Sequence, residues 1–182
     1  MKITKWKIHQ KEVVLTAHVF RYQKVKSESP TTNQVGDFDV VQCLNWVNVI
    51  AFNDKDECLL VKQYRHGIED VTIEIPGGAV HHGEDPLLAA KRELREETGH
   101  SANRWLHLGR VDANPAFMNN ACDTYLALDA IKTHELELDP FEEIEVVYKS
   151  KNEIRSMILN REITHSLVVA AFYLFEFGCT EA

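Results

Sequence analysis

Positive charge is in short supply in this chain: 20 lysines and arginines stand against 28 aspartates and glutamates, a formal net charge of −8. Nucleic-acid binders draw much of their affinity from basic surface, so that class is disfavoured. An anionic ligand would have to be met by a few local arginines or by a metal ion. Long apolar runs are also missing. The stretch LVVAAFYLFEF is too short to span a bilayer and carries Glu176, and the opening MKITKWKIHQKEVVL has no run of signal-peptide length. The expectation is a cytoplasmic protein with no nucleic-acid or membrane partner. Cys43, Cys58, Cys122 and Cys179 lie far apart with no C-x-x-C pair, which argues against a zinc site or disulfide framework and for idle thiols in a reducing compartment. Repeats and low-complexity tracts are absent.

What is present suits one folded domain. The 182 residues are 45% apolar and 26% charged, ordinary globular values. Strand-like runs rich in β-branched and aromatic residues occur at WKIHQ and EVVLTAHVFRYQKV, followed by a loop composition at SESPTTNQVGD (27–37). FDVVQCLNWVNVIAF and ECLLVKQYR read as strands joined by the turn-like NDKD. VTIEIPGG and the loop AVHHGE come next, then a helix from about Asp85 to Thr98. Strands resume at WLHLGRVDA, CDTYLALDA and IEVVYKS, and a closing helix runs from about Lys151 to Phe177 with a break near Asn160–Ile163. This order predicts an α/β or α+β fold with a mixed sheet, the first 35 residues forming a small sheet of their own.

The helix EDPLLAAKRELREETG contains a conflict. Asp85 suits its cap, Pro86 its first position and Gly99 the left-handed residue past its end. Yet Glu93, Glu96 and Glu97 crowd its C-terminal half, where they repel one another and the helix dipole. At 100° per residue, Glu93 and Glu97 fall about 40° apart, with Glu96 about 60° to the other side of Glu93. The apolar stripe Leu87, Ala90 and Leu94 is centred about 90° away. One face can pack on a sheet while its neighbour presents carboxylates. Arg92 stands at pairing distance from Glu96.

Gly78, Glu84, Arg92, Glu93, Leu94, Glu96, Glu97 and Gly99 spell G-x5-E-x7-R-E-L-x-E-E-x-G. This pattern is that of the Nudix hydrolases, which the sequence closely resembles. His100 departs from it, since that position is usually aliphatic. The resemblance implies an α/β/α sandwich with a mixed β-sheet. It also implies Mg²⁺, with Mn²⁺ as a substitute, on Glu93 and Glu97, with Glu96 contributing and the Gly77 carbonyl nearby. Hard cations prefer such oxygen ligands, and a bound cation turns mutually repelling carboxylates into its ligands. Arg92 would hold a glutamate, Glu96 or Glu84, and the reaction implied is attack of water on a diphosphate.

Further features resemble the ADP-ribose and nucleoside-diphosphate-sugar pyrophosphatase branch. VKQYR (61–65) matches a strand whose arginine, here Arg65, contacts the diphosphate. EIPGG (74–78) matches the lead-in to the box, where Glu74 either binds substrate or pairs with an arginine. Pro115 falls at the branch's spacing, but Pro115-Ala116 replaces the frequent Pro-Gly, a departure from the pattern of strict ADP-ribose enzymes. Asn114, Asn119 and Asn120 either read a sugar or base or shape turns. LDPFEEIEVV (138–147) resembles a late loop that supplies the water-deprotonating glutamate, Glu142 first and Glu143 next, with Glu96 in the box as the alternative. Trp46 is a candidate for base stacking, with Tyr22 and Phe117 behind it. His81 and His82 are poor metal ligands beside three glutamates.

The resulting expectation is an accessory set of strands over 1–38 that dimerises and a hydrolase domain over 39–182. The expected substrate is a small-molecule nucleotide sugar, with ADP-ribose leading. Another nucleotide sugar such as GDP-mannose, a dinucleotide, or non-catalytic sensing are the alternatives.

Overall fold

A computed structural model describes residues 3–178. It divides into two compact units, one formed by residues up to Leu44 together with Asp112–Ala121, the other by Asn45–Val111 and residues from Cys122 onward.

The first unit is an antiparallel sheet in the order β1 (Lys7–Thr16), β2 (Phe20–Glu28), β3 (Val35–Cys43). The two strand runs expected from the sequence are here, but the break falls elsewhere. Lys11 stays in the ladder opposite Val25, and the chain turns at Ala17–Val19, where the Ala17 amide donates to the Phe20 carbonyl at 2.9 Å. The boundary expected at 38/39 lies inside β3. Segment 112–121 is stitched to β3 by Val41 N–H to Phe117 O (2.7 Å) and by the Asn119 side-chain oxygen, which accepts from the Cys43 amide at 3.0 Å. The ten residues of β1 are all exposed.

The run FDVVQCLNWVNVIAF is two strands rather than one. The chain leaves β3 at Leu44–Asn45 and enters β4 (Trp46–Asn53) of the second unit. There β4 meets β5 (Cys58–Arg65) through the turn at Asn53, whose side-chain oxygen accepts from the Lys55 and Glu57 amides. The rest of the sheet comes from β6 (Asp70–Glu74), β7 (Gly77–Ala79), the short β8 (His100–Ser101), β9 (Arg104–Asp112), β10 (Ala121–Lys132) and β11 (Ile144–Lys149). The central order is β11-β5-β4-β10-β8, with β6 on β5, β7 on β4 and β9 on β10. β4 and β10 pair in parallel while β5 pairs antiparallel with β6 and β11, so the sheet is mixed.

Side chains alternate across a strand, and β4 shows what each face buries. Val47, Val49 and Ala51 pack with Ala89, Ala90 and Leu94 of helix α1 (Pro86–Thr98). Ile50 and Phe52 point the other way, into a cluster with Ile154 and Met157 of α2 (Lys151–Leu159) and with Val168, Ala171 and Phe172 of α3 (Ser166–Gly178). Burial on both faces explains why WVNVIAF reads as a nearly continuous apolar run. The expected α/β/α sandwich is realised, and the closing helix is broken at residues 160–165. Among the described residues no helix is long and apolar enough to cross a membrane. Cys43, Cys58 and Cys122 are free, burial pushes Cys58 and Cys122 up to about 12, and Cys179 lies outside the described residues.

His100, the departure from the box pattern, is buried. Its Nδ1–H donates to the Thr98 carbonyl at 2.7 Å, and its Nε2 accepts from the Tyr148 hydroxyl at 3.3 Å. Both bonds are compatible with a neutral ring that carries its proton on Nδ1. Burial lowers its pKa, with the Lys132 charge assisting and the Thr98 bond opposing. Below about pH 6.5 the unfolded chain therefore takes up a proton that the folded chain resists. The stabilisation is present above that value and is lost as pH falls toward the depressed folded value. In urea unfolding followed by circular dichroism, the midpoint should fall from about pH 7 to pH 5 more steeply in the wild type than in His100→Leu.

Candidate active site

Helix α1 begins and ends as its sequence dictates. Asp85 accepts from the Leu87 and Leu88 amides at 2.9 and 3.2 Å, Pro86 opens the first turn, and Gly99 closes the helix at φ +72° with its amide on the Arg95 carbonyl. The Gly99 carbonyl then receives the amides of Thr133 and His134, and the Glu96 carbonyl receives that of Glu137 at 2.9 Å. The loop after β10 is thereby pinned to the end of α1.

Helix α1, strand β7 and the loop between them converge on the acidic face. Glu97 is 4% exposed, and its Oε2 accepts from the Gly77 amide of β7 at 2.9 Å. A Cβ at 77 would strike the backbone carbonyl of Val47, and one at 78 would displace the Glu93 carboxylate from its place. Arg92 spends its fork on neighbours. Nε and Nη2 donate to the two oxygens of Glu84 at 3.0 and 3.1 Å, Nη2 also reaches the Ala79 carbonyl at 3.0 Å, and Nη1 reaches Glu93 at 2.7 Å and Glu96 at 3.1 Å. The sequence left Glu84 and Glu96 as alternative partners. The guanidinium holds both, and Glu93 as well.

These contacts set the electrostatics. Burial raises the Glu97 carboxyl well above the usual range, the charges of Glu93 and Glu142 add to this, and the Gly77 bond offsets part of it. Glu93 is raised by burial against the opposing pull of Arg92. Glu84 is held low by Arg92, whose own pKa is raised in return.

Beside this face stands a second arginine. Arg65, at the end of β5, is locked to Glu74 of β6 by Nε–Oε1 and Nη2–Oε2 bonds of 2.7 and 2.8 Å. The Thr72 hydroxyl donates to the same carboxylate at 2.5 Å. Burial works to raise the Glu74 carboxyl, but the Arg65 and Thr72 bonds outweigh it and hold it low. Of the two roles open for Glu74, pairing with an arginine is the one seen. Arg65 feels Glu97 and Glu142 electrostatically, and Glu142 is felt by Glu93 and Glu97, so the pinned late loop brings that carboxylate to the acidic face. Glu142 is half-buried, whereas Glu143 is exposed.

The remaining candidates fall into place less completely. Trp46 is half-buried on β4 opposite Ala79. Asn119 uses its side-chain oxygen on the backbone of β3, a turn-shaping contact. His81 and His82 are exposed, and the His81 amide donates to Glu84 at 2.9 Å. Sequence reasoning missed Thr72, whose only signal was strand alternation with Glu74, and His165, which lies 4.0 Å from Glu74 and carried no motif.

Among the described residues no three carboxylate, imidazole or thiol groups converge with the spacing that holds one ion. The chemistry of the donors nevertheless fits a hard divalent cation. Glu97 is a nearly dry carboxylate facing other carboxylates, and among the described residues no cation pairs with it directly.

A mixed sheet between helices, with a carboxylate helix face against a glycine strand and an arginine clamp beside it, defines a diphosphate-hydrolase type of site. The NUDIX domain model matches residues 44–167, and the chain belongs to the Nudix family. It is 28% identical over 164 residues to an ADP-ribose pyrophosphatase of Bacillus subtilis, covering 90% of this chain and 88% of that protein. It is 29% identical over 174 residues to a methanol dehydrogenase activator of Bacillus methanolicus, covering 92% and 94%. A crystal structure of an ADP compounds hydrolase superposes with a TM-score of 0.84 at 22% identity, over 97% of this chain and 95% of that one, which establishes the common fold.

The Glu97 carboxyl yields a test that needs no turnover. Because its folded pKa is raised, its contribution to stability is present below the unfolded value and is lost as pH rises through the folded value. In chelator at about pH 7.5, Glu97→Gln should therefore melt at or above the wild type. Mg²⁺ should raise the wild-type Tm clearly and the variant's much less. An equal Mg²⁺ shift in both would remove Glu97 from the metal site.

Proposed function

We propose that this chain hydrolyses the diphosphate bond of nucleoside diphosphate sugars in a divalent-metal-dependent reaction. ADP-ribose is the leading substrate, and the products are a nucleoside monophosphate and a sugar phosphate. The carrying observation is the carboxylate face of α1, with Glu97 buried and Glu93 and Glu96 half-buried, set against Gly77 and Gly78 with the Arg65–Glu74 clamp in electrostatic reach. The relative named ADP-ribose pyrophosphatase supports the choice of substrate.

Glu93, Glu96, Glu97 and the Gly77 carbonyl would hold Mg²⁺ or Mn²⁺. When bound, the cation eases deprotonation of the attacking water and offsets charge developing on the bridging oxygen. Arg65 has five N–H groups, of which two serve Glu74, and it offers the others to diphosphate oxygens. Glu142, on its pinned loop, accepts the proton of the attacking water, with Glu143 the less favourably placed neighbour. The water oxygen bonds to phosphorus as the bridging P–O bond breaks, and that electron pair leaves with the other phosphate. Arg92 keeps Glu93 and Glu96 in place, and Trp46 is available to stack on the base.

Residues 1–38 are proposed as an accessory dimerisation element and 39–182 as the hydrolase domain, working in a reducing cytoplasm. The first sheet exposes Ile8, Val13, Leu15 and Phe38, a cost that a homodimer interface would relieve. Light scattering at micromolar concentration should give twice the chain mass. A monomer with full activity would count against the dimer.

The activity is tested on a panel of ADP-ribose, GDP-mannose and dinucleotides with and without Mg²⁺. Monophosphate should appear fastest from ADP-ribose and vanish in chelator. Glu142→Gln should lower kcat by about 10²- to 10⁴-fold with KM and Mg²⁺ dependence kept, as for a lost general base. Faster release from another substrate would transfer the specificity, and full turnover in chelator would sink the proposal. A second reading, action on a dehydrogenase partner, is favoured by the likeness to the methanol dehydrogenase activator. It predicts that turnover on the panel depends on adding such a partner.

A further inference from the structure

Helix α3 starts immediately after His165, whose carbonyl accepts from the Val169 amide at 3.0 Å. Helices usually place serine, threonine, asparagine or aspartate at this position, and here Thr164 and Ser166 flank it while histidine occupies it. Among the described residues the imidazole makes no capping bond. Its Nδ1 is buried without a partner among them, a costly arrangement, and its Nε2 stands 4.0 Å from Glu74 Oε2, at ion-pair distance just beyond a hydrogen bond. Two residues on, the Leu167 carbonyl accepts from the Asn48 side chain at 3.2 Å, and Asn48 is the β4 partner of Gly77. The start of α3 is thus tied to the floor of the site at a point independent of His165.

The oxygen that His165 approaches is already in use. Glu74 Oε2 accepts from Arg65 Nη2 at 2.8 Å, while Oε1 serves Arg65 Nε and Thr72. Glu74 is 4% exposed, so water cannot readily replace a donor that leaves. With a neutral imidazole, the Arg65–Glu74 pair sums to zero charge. With a protonated one, two cations share one carboxylate, and the cluster carries a net positive charge beside the place where a diphosphate would bind.

We propose that His165 is a positioning residue for Arg65. Protonated, it takes a share of Glu74 Oε2 and loosens the Arg65 Nη2 bond to that oxygen, adding this donor to those Arg65 already offers a diphosphate. This rests on the reading of the site as one for nucleotide sugars. The charged groups that bear on the device are Glu74 from β6, Arg65 from β5 and, beyond Arg65, the Glu97 and Glu142 carboxylates, with Thr72 as an uncharged donor. Histidine is the side chain whose charge ordinarily changes between about pH 5 and 8, so diphosphate affinity is coupled to proton uptake in that window. Affinity falls as pH rises, and reciprocally a bound diphosphate favours the protonated ring.

The test combines kinetics and spectroscopy. With saturating Mg²⁺, KM for ADP-ribose should rise between about pH 6 and 8 by about fivefold more in the wild type than in His165→Gln, the order expected for one added charge near a partly buried ion pair. The kcat values of the two proteins should follow the same pH course, which a merely structural role for His165 would not give. In the wild-type protein alone, the His165 Cε1–H resonance should titrate at higher pH with ADP-ribose bound, in chelator, than without it. This second measurement stands whether or not the variant folds. A KM profile unchanged by His165→Gln, or a His165 titration unmoved by ADP-ribose, overturns the inference while leaving ADP-ribose hydrolysis intact. Absence of wild-type hydrolysis of ADP-ribose overturns the functional reading and this inference with it.

Discussion

The close approach of α1 to β7 is the constraint on which the rest of the second unit depends. Gly77 offers its amide to Glu97, and the missing side chain of Gly78 leaves room for Glu93. A carboxylate is thereby carried into a nearly dry environment, which costs free energy that packing of Ala89, Ala90 and Leu94 against β4 must offset. Arg92 works on the same side of the balance. By meeting Glu84, Glu93, Glu96 and the Ala79 carbonyl together, it ties the loop before α1 to the helix and keeps like charges at fixed separation. The fold stores electrostatic repulsion where a divalent cation can relieve it.

Most of this was legible in the sequence, for local reasons. Capping signals gave the start and end of α1 because Asp85, Pro86 and Gly99 act on their immediate neighbours. The glutamate cluster was visible because helical spacing alone puts Glu93 and Glu97 on one face. The sandwich followed from the order of elements. What escaped depends on contacts between distant segments. The run FDVVQCLNWVNVIAF has uniform strand propensity, and nothing local says that Leu44–Asn45 passes from one sheet to another. The first strand continues through Lys11, which lies outside both expected runs, because the ladder accepts a lysine that points to solvent.

The site divides in the same way. Glu84, Arg92 and the three glutamates form one compact motif, while Glu74 and Arg65 face each other from adjacent strands, nine residues apart along the chain. His165 comes from the other end of the sequence, and no spacing rule connects it to Glu74. His100 shows that a position can tolerate a departure when the substitute finds partners. Its ring satisfies both nitrogens, through Thr98 and Tyr148, where an aliphatic side chain would only pack.

The three backbone bonds from the end of α1 to Thr133, His134 and Glu137 divide the β10–β11 connection into two parts of different character. Up to Glu137 the chain is held to the helix, and from Ile144 it is held in the ladder with β5. Only residues 138–143 lie between these anchors, and they carry Glu142. The reach of that carboxylate is therefore a matter of tether length. Adding or removing a residue in this short span would move that carboxylate relative to the helix face without touching either anchor, so its distance from the glutamates of α1 can diverge among related chains while the scaffold stays the same.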